Sequence, residues 1–290
     1  MRTRWVGLLL LVLPTLAVGE GGDVVETRTR REVVPLEARE VVLLVVDNVY
    51  GSIHVTGHDK PQIEMVADEK TEARSRTAFE KARRDVRLEI GREGDEVTIF
   101  VDGPFRERDD DGLCRQRSLG YTVTYDFEIK VPWRTHLDVR TVNLGDIRVE
   151  RVQGDLRAGN VNGDVTLEHV GGGSVRATTV NGPVRATFDK NPTGDSTFQT
   201  VNGNLELWLQ PGLSADLRFK TFNGEARTDF EVEPLPFEPV VEKKDGDRRV
   251  FKARQWSRVR VARGGPQLSF ETLNGNILVH SARGGTSAGR

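Results

Sequence analysis

Arg157 and Arg176 stand one sequence repeat apart, and Arg218 returns two repeats later. A guanidinium is a planar fork that donates paired hydrogen bonds to a carboxylate, sulfate or phosphate. Several forks in a row would hold an extended polyanion. With Asp138 and Thr197 the three arginines fill one equivalent outward position; Arg148, Thr166, Arg185, Glu206 and Arg227 fill another. Acids and hydroxyls dilute both rows, so any field is local and is screened beyond about 8–10 Å in physiological salt. A solvated face that discourages sheet-edge pairing has the same composition, and both readings stay open at this point. Arg157, Arg176, Arg218, Arg148 and Arg185 are the candidate binding residues. The partners they suit are an anionic glycan, an envelope lipid or an envelope protein.

Other chemistry finds little support. His54, His58, His136, His169 and His280 have no zinc-site spacing. Asp109, Asp110 and Asp111 offer calcium oxygen ligands but lack the spaced ligands, Gly and Glu of an EF-hand loop. Cys114 is the single cysteine and reads as a loop thiol, since no His neighbours it in sequence. One cysteine cannot close an internal disulfide. There is no Gly-x-Ser-x-Gly elbow, and Gly171-Gly172-Gly173-Ser174 leads into a strand rather than the helix a phosphate loop requires. Asp146, Asp155, Asp164 and Glu225 fall at turn positions, where acids are ordinary turn chemistry. Glycan cleavage would need paired carboxylates converging on one face. The expectation is a protein without catalytic residue, metal or cofactor. A glycan-active enzyme and a self-assembling structural element are the alternatives.

The elements that place these residues come from a repeat. Thr141-Val142-Asn143, Asn160-Val161-Asn162-Gly163, Thr179-Val180-Asn181-Gly182, Thr200-Val201-Asn202-Gly203, Thr221-Phe222-Asn223-Gly224 and Thr272-Leu273-Asn274-Gly275 recur at spacings of 19, 19, 21, 21 and 51 residues. The long gap equals one repeat plus an insertion that includes the Pro-rich, charged stretch 231–249. Apolar residues alternate before each Asn (Leu156/Ala158, Val175/Ala177, Leu217/Phe219, Leu268/Phe270) and after each Gly (Val165/Leu167, Val184/Ala186, Leu205/Leu207, Ile277/Val279). Period-two alternation sends one face inward and the other outward.

Asn-Gly between strands is the usual hairpin signal. A hairpin would set Val161 opposite Asp164, Val180 opposite Pro183 and Phe222 opposite Glu225, pairing apolar residues with polar ones or proline. A corner between stacked rungs has no such conflict and lets Asn stack on Asn. The fold class expected is therefore all-β, with β-solenoid or β-helix-like repeats of about 19–21 residues. Asn143, Asn162, Gly163, Asn181, Gly182, Asn202, Gly203, Asn223, Gly224, Asn274 and Gly275 are the structural corners, with a positive φ expected at Gly182 and Gly203. Asn48-Val49-Tyr50-Gly51-Ser52-Ile53-His54-Val55 repeats the corner once near the front, with Tyr50 in the Asn place. Ala73, Ala78, Phe79, Ala82 and Val86 recur at helical spacing, predicting one amphipathic helical insert near 69–87. Strands are expected over 97–101 and 121–131.

These corners, the Gly-Ser-Ile-His-Val strand, the helical insert and Val131-Pro132 before the repeats resemble a bacterial domain-of-unknown-function family labelled "putative adhesin". That family is related to the auto-transporter adhesin head domain. The resemblance spans roughly 40–282. It implies a β-helix-like fold and an exported or envelope location, and no established catalytic mechanism. Tyr50, Leu144 and the 231–249 insertion depart from the pattern.

At the front, Arg2 and Arg4 precede the apolar run Trp5 to Leu16, and Ala17-Val18-Gly19 places small residues where a signal peptidase reads. That run is too short for a bilayer core, which takes about 20 apolar residues. The expected organisation is a signal peptide at 1–19, one domain at 20–283 and a flexible tail at 284–290. Within the domain, N-terminal strands and the helical insert occupy 20–135 and the Asn-Gly repeats 136–283. Losing Arg2 and Arg4 leaves 40 basic and 44 acidic residues, which gives no pull toward nucleic acid. No later segment is apolar for long enough to span a membrane. An exported protein, in the periplasm, on the cell surface or secreted, should start near Glu20. Mass spectrometry of the N-terminal peptide from the exported fraction would show Glu20 at its head, and Met1 there would contradict this.

Overall fold

Alternating apolar residues become strands throughout. The computed structural model describes residues 15–18, 23–37, 41–106, 119–236, 243–245, 248–250 and 256–282. Among them the protein is all-β: one 21-stranded sheet curls around a shared core, a two-stranded hairpin stands apart, and one α-helix is present. The expected strands are found, at Glu96–Asp102 and Tyr121–Pro132. All the apolar pairs flanking the corners are buried, Val165, Leu167, Val184, Leu205, Ile277 and Val279 completely.

Two ladders of parallel strands carry the repeats. One runs Glu96–Asp102, Val42–Asp47, Thr135–Arg140, Gln153–Gly159, the second half of Val165–Thr178, Ser196–Gln199, Gln267–Asn274 and Ala215–Asn223. The other runs Tyr121–Pro132, Ile53–His58, Ile147–Glu150, the first half of Val165–Thr178, Val184–Lys190, Leu205–Leu209, Ile277–Ser281 and Ala226–Thr228. Strands on either side of an Asn-Gly pair with neighbouring repeats and not with each other, so the hairpin arrangement does not occur. At the front, Val24–Pro35, Gln62–Ala73 and Tyr121–Pro132 form a long antiparallel extension. Thr15–Val18, inside the expected signal peptide, pairs with the outer edge of Val24–Pro35.

The corners stack by three sets of hydrogen bonds. Each Asn amide donates to the Asn carbonyl below: Asn162 to Asn143 (2.6 Å), Asn181 to Asn162 (2.7 Å), Asn202 to Asn181 (2.8 Å), Asn274 to Asn202 (2.7 Å) and Asn223 to Asn274 (2.7 Å). Two residues earlier, Thr141, Thr179, Thr200, Thr272 and Thr221 donate their hydroxyls to the carbonyls of Gly51, Gly163, Gly182, Gly203 and Gly275. Asn160 takes the Thr place and donates to the Gly145 carbonyl. After the Gly, the side chains of Asp146, Asn204 and Asn276 accept the backbone N–H of Asp164, Asn276 and Glu225.

Three expectations need correction. First, the repeats do not stack in sequence order. The repeat 267–281 lies between 196–209 and 215–228, so Asn274 separates Asn202 from Asn223. The excursion 229–266 makes this possible by returning along the far edge of Ala215–Asn223 as the antiparallel strand Ser257–Val261. Second, Gly182 has the expected positive φ, 153°, but Gly203 does not. Close approach constrains both: a Cβ on Gly182 would strike the Gly163 carbonyl, and one on Gly203 the Gly182 carbonyl. Third, the helix is Arg76–Asp85, shorter than 69–87. Residues 69–73 finish the strand Gln62–Ala73, whose alternation buries Thr71 and Ala73. Ser75 then caps the helix by accepting from Ala78 N–H, while Phe79 and Ala82 face the core. Leu144, the extra corner residue, is accommodated at φ 61° and is 67% exposed.

Removing one rung of the amide ladder leaves polar groups unpaired. Asn181→Ala should lower stability by about 1–3 kcal/mol. Gly203→Ala should cost at least as much, because the clash is with backbone. Thermal melts of both variants check this, and an unchanged Tm would remove the corners' structural role.

Candidate functional site

Each outward row is fixed by its buried neighbours. Leu156 and Ala158 are buried on either side of Arg157, as are Val175 and Ala177 on either side of Arg176, so both guanidinium groups point to solvent. The parallel register sets Arg157 directly beside Arg176. The first row is Asp138, Arg157, Arg176, Thr197, Ser269 and Arg218. The second is Glu128, His54, Arg148, Thr166, Arg185, Glu206, Leu278 and Arg227. The inserted repeat thus contributes Ser269 and Leu278, which the order of the sequence did not anticipate.

The five candidate arginines separate sharply by partner. Arg148 bridges Glu150 (2.6 Å) and Glu168 (2.8 Å), and these carboxylates raise its pKa. Arg185 pairs with Asp164 at 3.1 Å. Arg218 donates to the Gln267 side chain and lies over the Trp256 ring, 4.7 Å from its centroid. Arg227, beside the second row's end, is held by Glu225 at 2.6 Å. Arg157 and Arg176 have neither a hydrogen bond nor an ion pair among the described residues. Arg157 only adds a through-space attraction for Asp155. Of the rows read from the sequence, this adjacent pair alone keeps its forks uncommitted.

Beside the pair lies an open groove of about 370 Å³. Its lining includes Arg157, Arg176, Gly159, Val142 and Val161, together with Asp47, Asp138 and Arg140. The acids nearby are already neutralised. Asp138 accepts two bonds from Arg140, at 2.9 and 2.8 Å, which raises the Arg140 pKa. Asp47 pairs with Arg106 at 3.0 Å. Sequence reading missed Arg140, Gly159 and the valine wall. The valines were visible as the residue before each corner Asn, but nothing in the spacing showed that they flank the Arg row.

The remaining chemical candidates are occupied by structural tasks. Asp155 accepts both the backbone N–H and the hydroxyl of Ser174, which hold its carboxyl below the usual range. Asp164 is paired with Arg185. His54 lies between Glu128 (3.1 Å) and Glu150 (3.2 Å), His169 on Asp189 (2.9 Å) and His280 on Asp229 (3.0 Å). His136 accepts from the Asp155 N–H, and His58 contacts Gln62 O and Lys60 N–H. Among the described residues there is no group of three metal-ligating side chains, and no helix is long and apolar enough to cross a membrane. Cys114 and Asp109 to Asp111 lie outside the described residues.

No family model matches the chain, and no curated protein matches it. Solved structures similar to it include a "putative cell adhesion protein" of Clostridium sporogenes ATCC 15579, 8% identical, covering 88% of this chain and 100% of that one, with a TM-score of 0.47. A "putative adhesin" of Bacteroides fragilis NCTC 9343 is 8% identical, covers 88% and 97%, and scores 0.25. A "putative lipid binding protein" of Parabacteroides distasonis ATCC 8503 is 8% identical, covers 89% and 97%, and scores 0.27. Likenesses this remote say nothing of ligand or role.

Several carboxylates share the depression seen at Asp155. Arg260 lowers Asp216 through two hydrogen bonds, and Gln62 with Lys60 lowers Glu64. A carboxylate depressed in the folded state contributes stability above its unfolded pKa and loses it as pH falls through the folded value. Thermal stability should therefore hold level from neutral pH down to about 5 and decline below about pH 4. Melting curves from pH 7 to 2.5 check the sign, and a Tm that rose on acidification would contradict it.

Proposed function

We propose that this protein is an exported, non-enzymatic binding scaffold of the bacterial cell envelope or surface. In this reading the two parallel ladders are the faces of a β-solenoid, and each Asn-Gly corner turns the chain from one face to the next. The registered Asn and Thr ladders support that geometry. A stack of this kind is rigid without a cofactor and presents its outward rows at the strand spacing, about 4.8 Å. Its acids serve corners and ion pairs, which argues against a hydrolytic carboxylate pair. Export rests on the Arg2/Arg4 and Trp5 to Leu16 pattern.

One observation carries the binding role: Arg157 and Arg176 lie side by side with no ion pair among the described residues, Asp138 beside Arg157 being held by Arg140, while the other candidate arginines are committed. Like charges directly opposite on neighbouring strands are destabilising, and an anion shared between them relieves that cost. The ligand is therefore anionic, bound weakly and with salt sensitivity. Heparin chromatography at low salt should retain the parent and release it as salt rises. Arg157→Ser/Arg176→Ser should lose most of that retention with an unchanged melting curve, whereas Arg148→Ser/Arg185→Ser should lose much less. Equal retention of the Arg157/Arg176 variant and the parent would show these rows to be only a solvated face.

A further inference from the structure

Gly159 is a glycine without a backbone reason. Its φ is not positive. A Cβ there would meet only Thr178 Oγ1 at 3.6 Å and Arg140 Cγ at 3.8 Å, ordinary contacts. The corner glycines differ: at Gly163, Gly182, Gly203, Gly224 and Gly275 a side chain would collide with the neighbouring corner's backbone. Gly159 sits within the strand Gln153–Gly159, where glycine weakens pairing and often marks a close approach by a ligand. Gly159 is one of the residues lining the 370 Å³ groove, and its missing side chain leaves that part of the lining open.

Deepening the anion-binding reading above, on which it rests, we propose that the groove over Gly159 is a site for a carboxylated sugar. The acid group would lie against Arg157 and Arg176, whose planar forks suit a carboxylate. The ring would lie on Gly159 with one C–H face against Val142 and Val161. The Thr178 hydroxyl, half-buried on the groove's lining, is free for a sugar hydroxyl. Asn160 is not available: its side-chain oxygen accepts from Val161 N–H and its amide donates to Gly145 O. The volume falls in the range of small-ligand clefts, about 300–1,000 Å³.

The surroundings favour a sugar over a membrane surface. The apolar wall beside the arginines is two valines, too small for an acyl chain. The acids on the groove's own lining, Asp47 and Asp138, are each paired with an arginine, which leaves Arg157 and Arg176 to a ligand small enough to enter the groove.

Calorimetry with trigalacturonate tests the proposal, with its methyl ester as the uncharged control. The parent should bind the acid and not the ester. Gly159→Leu fills the space over the glycine and should weaken binding by at least about tenfold, while retention on dextran sulfate, which carries no carboxylate, persists because both arginines remain. Val161→Ser, at a half-exposed position of the lining, should weaken trigalacturonate several-fold with dextran sulfate retention intact, and it decides the matter if the Leu variant does not fold. Undiminished trigalacturonate binding by a folded Gly159→Leu overturns the proposal, as does equal binding of the ester. Parent binding to phosphatidylglycerol vesicles that Gly159→Leu abolishes would replace the sugar by a lipid headgroup. Heparin retention without any trigalacturonate binding would sink this inference alone. Absence of both would sink the anion-binding reading beneath it.

Discussion

Every repeat of this protein is held to the next by the closeness of its corners. The Gly carbonyl of one corner lies where the Cβ of the next corner's glycine would be, so the backbones stack without side chains between them. At that separation the Asn amides fall within hydrogen-bonding distance, and the Thr hydroxyls reach the same Gly carbonyls from the inner side. Corner backbone groups that would otherwise be left unpaired by the change of direction are thus satisfied in series. The glycines set the spacing, and the amides and hydroxyls exploit it.

The core follows from the same register. Because each corner is fixed to its neighbour, Phe198 stacks on Phe270 and Phe270 on Phe219, with centroids 5.4 and 5.2 Å apart and planes within 16° of parallel. The outward rows inherit the alignment. Whether a row is charged, neutralised or bare is decided one residue at a time by its neighbours above and below. Arg148 is held by Glu150 on its own strand and Glu168 on the next, whereas Arg157 lies between Asp138, already held by Arg140, and Arg176.

Much of this was legible from the residues. Period-two alternation gave the buried faces, and the Asn spacing gave the corners and their register through Asn202. The helix was legible from Phe79 and Ala82, but its start was not. Thr71 and Ala73 fit a strand face as well as a helical one, and only the pairing of Gln62–Ala73 with two neighbours decides it. The spatial order of the last repeats was invisible because a spacing of 51 carries no information about which edge the returning chain meets. The groove was half visible. The arginines were there to read, but Gly159 looks like any other glycine until its open surroundings are seen. Glu150, two residues along the same strand, was legible as a partner of Arg148, whereas Glu168 and Asp164 reach Arg148 and Arg185 from neighbouring repeats through strand pairing and corner geometry.

The inserted repeat has a consequence in time. Residues 215–228 are synthesised well before 267–281, and they already carry Phe219, Thr221 and Asn223 in the pattern that stacks on Phe198, Thr200 and Asn202. Direct docking of these two segments would offer the growing chain the same amide and aromatic ladders, with one layer missing. In the finished arrangement the pairings of 267–281 reach both 196–209 and 215–228. Non-local parallel pairing of this kind is slow to form in any chain.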